Sequence, residues 1–271
     1  MSKIRQILRW VGITTSSFIF SLMIAHSALA QNVYMEEMTW MEIRDRMRAG
    51  AHTVIIPIGG TEQNGPHMIT GKHNIIVRYT AGEIAKRVGN TLVAPVISYV
   101  PEGRITPPEG HMNFPGTLSV RDNTFRMLLE DAAASLKQHG FRRILFIGDH
   151  GGSQKAQQDV AGQLNGQWAS SSVTVMNIGD YYAKNGQEQH AEKIGARSPN
   201  PAGHAALIDT SEMMAIHSQG IRNELRARNR EEDFEKTGAN GDSTQASADH
   251  GRAFLGMKIE AAVQQIKQLG Y

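Results

Sequence analysis

Residues 53–62 read Thr-Val-Ile-Ile-Pro-Ile-Gly-Gly-Thr-Glu. The run Thr53–Ile58 is apolar without alternation, as expected for a strand covered on both faces. Gly59 and Gly60 end it, and Glu62 follows at once in the loop. The same grammar returns at Arg143–Ile147 (RILFI), which runs into Gly148-Asp149-His150-Gly151-Gly152-Ser153. Thr91–Val96 and Val173–Ile178 read as two further strands. The stretches between them read as helices: one opened by a Thr39–Glu42 capping box and closed at Gly50, then Asn74–Val88, Ser119–Gly140 with Ser119 as N-cap, and Ser153–Trp168. A helix starts near Asp209 and a closing one spans Thr244–Leu269. Strands alternating with helices predict an α/β fold: a single layered domain with a mostly parallel sheet flanked by helices. Residues 99–117 hold four of the nine prolines, and a loop that long inside a compact domain is usually functional. Residues 184–203 are polar and rich in Gly and Pro, and Arg222–Lys236 is a solvated, charged stretch.

The 271 residues contain no cysteine, which excludes disulfide scaffolds, thiolate metal sites and cysteine nucleophiles. There are 28 Lys+Arg and 26 Asp+Glu. Lys3, Arg5 and Arg9 fall in the first 30 residues, which hold no acid, so the remainder is close to neutral and offers no electrostatic case for nucleic acid. Those first 30 residues combine three cations, a short apolar run from Phe18 to Ala25 and the small-x-small site Ala28-Leu29-Ala30. This is the pattern of a cleavable secretory signal. Polar residues interrupt the run too often for a membrane anchor, which needs about 20 apolar residues. The expected product is residues 31–271, cut after Ala30, periplasmic or secreted, with no stable membrane anchor.

Loops that follow parallel strands converge where such folds bind ligands. Glu62, His67, His73 and His150 lie in or beside the two loops, and carboxylate with imidazole suits a zinc-like cation that keeps one position open for water. Spacing alone is equally compatible with structural roles for His67 or His73.

The stretch PIGGTEQNGPH (57–67) resembles the creatininase (creatinine amidohydrolase) family, whose usual form is proline-valine-glycine-x-x-Glu-Gln-His-Gly-Pro-His. Four further segments resemble that family in the same order: HMNFPGTLSV (111–120), GDHGGS (148–153), GHAALIDTSEMM (203–214) and GANGDSTQASADHGRAFL (238–255). The resemblance implies a metal-dependent hydrolase that cleaves the C–N bond of a small, cyclic amide by metal-activated water. Carried over by position, one family metal site becomes Glu62, His73 and His150. The other becomes Asn64, His73 and Gly152, which offer a weak ligand, a single lone pair and no side chain. The expectation is therefore one divalent cation per chain, zinc first with manganese or iron as alternatives. Its ligands would be Glu62, His73 and His150, with Asp209 completing or supporting the site unless Asp209-Thr-Ser-Glu212 is merely a helix capping box. His204 aligns with a family histidine that holds the attacking water or protonates the leaving nitrogen. Asp149 is read as general base or as a support for the site, and His111, His67 and Asn64 as substrate-binding. The resemblance also implies a homo-oligomer, commonly a hexamer. The competing reading is a non-catalytic periplasmic binding protein on the same scaffold.

Overall fold

The computed structural model describes residues 32–196 and 200–270; the expected signal segment and Gln31 lie outside the described residues. Four parallel strands, β1 (Thr53–Ile58), β2 (Thr91–Val93), β3 (Arg143–Gly148) and β4 (Thr174–Asn177), form a sheet in the order β2-β1-β3-β4. Every residue of β1 is buried, as its unbroken apolar run requires. The helices are α1 (Trp40–Arg48), α2 (Lys72–Val88), α3 (Asp122–Gln138), α4 (Gln154–Gln167), α5 (Asp180–Ala183), α6 (Gln187–Lys193), α7 (Leu207–Ile216), α8 (Phe234–Thr237) and α9 (Ala248–Gln268). One face of the sheet, with Val54, Ile56, Ile144 and Phe146, packs on Phe125, Leu129 and Ala133 of α3 and Val160 and Leu164 of α4. The opposite face, with Ile55, Leu145 and Ile147, packs on Val77, Ala81 and Ile84 of α2 and Ile259, Val263 and Ile266 of α9. The protein is thus a three-layer α/β fold. Among the described residues, no helix is long and apolar enough to cross a membrane.

The Thr39–Glu42 capping box forms in full: Thr39 Oγ1 accepts from Glu42 N at 3.3 Å and Thr39 N donates to Glu42 Oε2 at 2.6 Å. Other boundaries shift for local reasons. The second strand stops at Val93 instead of Val96, because Pro95 has no N–H for the ladder. The chain re-engages β1 at Ile97, whose N donates to Pro57 O at 2.9 Å. Ser119 does not cap α3. Its Oγ accepts from Glu102 N at 3.0 Å and donates to Gly103 O at 2.8 Å, so it fastens the long loop instead. The closing helix begins at Ala248, capped by Ser247 Oγ accepting from His250 N. Asp209 lies inside the first turn of α7, so the Asp209–Glu212 capping box does not form. The polar segment 184–203 holds α6, which its composition did not announce.

In register, Ile58 of β1 sits opposite Gly148 of β3. The loops after the two strands therefore leave the same sheet edge side by side. That single fact brings Glu62 and His150 together.

Candidate active site

A cavity of about 380 Å³ opens at this edge, lined among others by Glu62, His73, His111, His150, His204 and Asp209. Segments that converge on it include the two strand-end loops, the start of α2, the long loop 99–117, the approach to α7, and α9. Glu62 is the centre of the arrangement, with its side chain only 1% exposed. Its Oε1 lies 2.8 Å from His73 Nε2, 3.5 Å from Lys72 Nζ and 3.6 Å from His204 Nδ1. Its Oε2 lies 3.2 Å from His111 Nε2 and 3.5 Å from His150 Nε2. Burial opposes ionisation of Glu62. The charges of His73 and Lys72, with the hydrogen bond from His73 and the nearby His150, still hold its carboxyl well below the usual range.

Behind Glu62 runs a buried chain of alternating charge. His73 donates from Nδ1 to Asp149 Oδ2 at 2.7 Å as well as from Nε2 to Glu62. Asp149 also accepts from Tyr181 Oη at 2.7 Å and from Lys258 Nζ at 2.8 Å. Lys258 in turn reaches Glu212 Oε2 at 3.0 Å. A second arm runs from Lys72 to Asp209 Oδ2 at 2.7 Å. Burial and Lys72 oppose charging of His73, but the two carboxylates raise its pKa overall, so the ring is a cation between anions.

This chain relocates several expected roles. His73 spends one nitrogen on Asp149 and the other on Glu62. Asp209 spends its carboxylate on Lys72 and on Ala205 N, which donates to it at 3.0 Å. Asp149, with three donors on its two oxygens, orients His73 and is not free to act as a base. His67 and Asn64 do not line the cavity. His67 Nε2 meets Thr210 Oγ1 at 3.1 Å, bracing α7, and burial lowers its pKa to about 4. Asn64 Nδ2 donates to the carbonyls of Glu62 and Ile69, fixing the loop.

His111 and His204 do face the cavity, their ring centroids 4.6 Å apart and their planes tilted by 53°, organised by Gln63. Gln63 Oε1 accepts from Gly65 N, so its Nε2 donates to His111 Nδ1 at 3.0 Å. The His111 proton therefore sits on Nε2, directed at Glu62. His204 Nε2 donates to Gln63 O at 2.8 Å, which leaves Nδ1 bare towards Glu62 Oε1. Burial and the Lys72 charge lower the His204 pKa to about 3, so that lone pair is present at neutral pH.

Two acidic side chains and one histidine meet beside these rings. His150 Nε2 lies 2.9 Å from Glu102 Oε2 and 3.5 Å from Glu62 Oε2. Burial lowers the pKa of His150, but the facing Glu102 and Glu62 carboxylates carry it up to about 9. Glu62 Oε2 and both Glu102 oxygens have no hydrogen-bond partner. Buried, unsatisfied carboxylate oxygens around an imidazole fit a divalent cation. Glu102, Lys72, Gln63 and Lys258 carried no expectation from the sequence. For Lys258 a signal existed: with Phe254, Leu255, Ile259 and Ala262 it falls on the apolar stripe of α9, where only a paired lysine survives burial. Glu102 lies in an irregular loop, where no periodicity points to a residue.

Glu212, inside α7, is pushed up to about 7 by burial, against Lys258 and with Asp149 adding to the rise. The folded chain thus binds a proton that an unfolded glutamate, with its ordinary value of 4.5, has released. That stabilisation, on the order of 3 kcal/mol, is complete below the unfolded value and is lost as pH rises through about 7. Glu212→Gln should flatten the decline. Denaturant unfolding across that pH range checks this, and an unchanged slope would reject it.

The sequence profile of the creatininase family, described as creatinine amidohydrolase, matches residues 36–266. The chain is 28% identical over 193 residues to the 3-dehydro-scyllo-inosose hydrolase of Thermotoga maritima, covering 71% of this chain and 58% of that protein. It is 30% identical over 122 residues to the creatinine amidohydrolase of Pseudomonas putida, covering 45% and 46%. The matches thus span about half the length of these curated relatives. The solved structure of creatininase Mn superposes with a TM-score of 0.70 over 88% of this chain and 98% of that one, at 22% identity, and shares the fold. A profile match over most of the chain, joined to the same fold and a histidine–carboxylate cavity at the ends of parallel strands, makes this chain a member of the creatininase family.

Proposed function

We propose that the protein is an exported, metal-dependent hydrolase that uses water to cleave the C–N bond of a small, cyclic amide. One observation carries this reading: a fully buried Glu62 faced by four histidines at the wall of a cavity sized for a small molecule. Two relatives, a creatinine amidohydrolase and an inosose hydrolase, are named for small non-peptide substrates and support this reading, while others are named as peptidases of a precursor peptide. Glu62 and His150 hold the cation, with zinc or manganese favoured by this pairing of carboxylate and imidazole. When bound, such a cation lowers the pKa of a water and polarises a carbonyl. His73, clamped by Asp149, fixes the Glu62 carboxylate. His111 presents its Nε2 proton to the cavity and positions the substrate. His204, neutral and with Nδ1 bare, accepts a proton and passes it to the leaving nitrogen.

Activity of metal-loaded and chelator-treated protein on lactams, hydantoins, formamides, lactones and small peptides tests the reading. Turnover should vanish on chelation and return with zinc or manganese. Metal without turnover of any member would favour the binding-protein alternative. His204→Ala should keep its metal while turnover falls by ~10²–10⁴-fold, the usual contribution of a positioned acid–base group. An unchanged rate would remove His204 from the chemistry. The exported form should begin at Gln31 and form a homo-oligomer, which N-terminal sequencing and light scattering check.

A further inference from the structure

We propose that Glu102 is a metal ligand, so that one divalent cation is held by Glu62, Glu102 and His150. This rests on the metal-dependent reading above and extends it to a residue on a different loop. The Glu102 side chain is fully buried. A glutamate removed from water needs compensation, yet neither of its oxygens has a hydrogen-bond partner. His150 Nε2 faces it at 2.9 Å but without hydrogen-bond geometry. Glu62 Oε2 is likewise without a hydrogen-bond partner. One ligand atom from each of Glu62, Glu102 and His150 falls within 4.8 Å of the others. Two carboxylates and an imidazole converging in a buried space form a donor set for a divalent cation.

The surrounding backbone is shaped to admit this carboxylate. A Cβ on Gly60 would lie 2.5 Å from Glu102 Oε1, so glycine leaves room for the carboxylate where it stands. A Cβ on Gly152 would lie 2.9 Å from His150 Cε1 and 3.5 Å from Pro101 O. Glycine there lets the Pro101–Glu102 segment close on the imidazole. Ser119 then pins the segment from both sides, through Glu102 N and Gly103 O. The other histidine group near Glu62, His111 with His204, does not compete for the ion. Gln63 puts the His111 proton on the nitrogen that faces Glu62.

The test compares wild type, Glu102→Gln and Glu102→Asp by zinc competition against a chelator and by thermal unfolding in EDTA and in zinc. Wild type should bind about one equivalent and melt higher in zinc. Glu102→Gln should lose more than ~100-fold in zinc affinity, since even groups outside the ligand set cost 10–100-fold when removed. It should also lose the zinc-induced rise in melting temperature. In EDTA it should melt at or above wild type, because one of two facing buried carboxylates has become neutral. Glu102→Asp, which keeps the charge one methylene short, should recover part of the affinity. Wild-type zinc affinity in Glu102→Gln would overturn the assignment, as would a lower melting temperature in EDTA with affinity unchanged, which marks a structural partner of His150. Loss of zinc in His73→Gln but not in Glu102→Gln would give the third position to His73. A wild type that binds neither zinc nor manganese would overturn the metal-dependent reading itself, an outcome separate from these.

Discussion

Glu62→Gln should leave a folded protein that neither holds a divalent cation tightly nor turns over substrate. The side chain keeps its shape, so the cavity stays, but the single negative charge that organises it is gone. That charge faces His73, Lys72 and His204 from one oxygen and His111 and His150 from the other. Metal affinity should drop by well over ~100-fold, beyond the effect of losing a group that only supports a ligand, and turnover should fall in step. Lys72 remains compensated by Asp209 at 2.7 Å, so the fold should survive, with cation binding carrying the loss. Metal analysis of the purified variant, with circular dichroism as the check on folding, decides the matter. A full equivalent of metal in Glu62→Gln would show that the cation site has been centred on the wrong residue.

Lys258→Met should be the most destabilising single change among the described charged residues. Lys258 Nζ lies 2.8 Å from Asp149 and 3.0 Å from Glu212, above the Tyr181 ring, with its side chain only 7% exposed. Removing one partner of a buried ion pair strands the other, at a cost of ~3–5 kcal/mol. Here two carboxylates are stranded, and Asp149 then loses its grip on His73 and, through it, on Glu62. Denaturant unfolding at about pH 8 should show the loss. The deficit should shrink at lower pH, as Glu212 takes up a proton and one stranded charge disappears. Adding Glu212→Gln to Lys258→Met should restore part of the stability, since the amide still accepts from Gln187, which donates to Glu212 Oε1 at 2.6 Å. A loss below ~1 kcal/mol in the single variant would mean that water or rearrangement compensates the pair.

The layered α/β architecture was legible along the chain because it rests on local patterns. Thr53–Ile58 and Arg143–Ile147 lack alternation because both faces of the sheet are covered. Each strand ends in glycine and then in chemistry, which marked Glu62 and His150 from sequence alone. Boundaries were less legible where one side chain could serve two masters. Ser119 could cap a helix or fasten a loop, and only the position of Glu102 decides between them. Asp209 could open a capping box or pair with a lysine, and Lys72, distant in sequence, decides that.

Motifs named the residues of the site, but only the fold assigned their partners. His73 reads as a ligand in line, because its nearest sequence neighbours say nothing of Asp149 or Lys258. In space its two nitrogens bridge Glu62 and Asp149. Glu102 shows the reverse: nothing in its own stretch marks it, and its unpaired oxygens beside His150 become visible only once loop 99–117 is folded over β1 and β3. The sequence by itself determined the strands, the helices and the loops that carry reactive groups, because those depend on neighbours a few residues apart. The tertiary structure decided which carboxylate balances which cation, because in a buried site that balance depends on distance through space and on what water has been excluded.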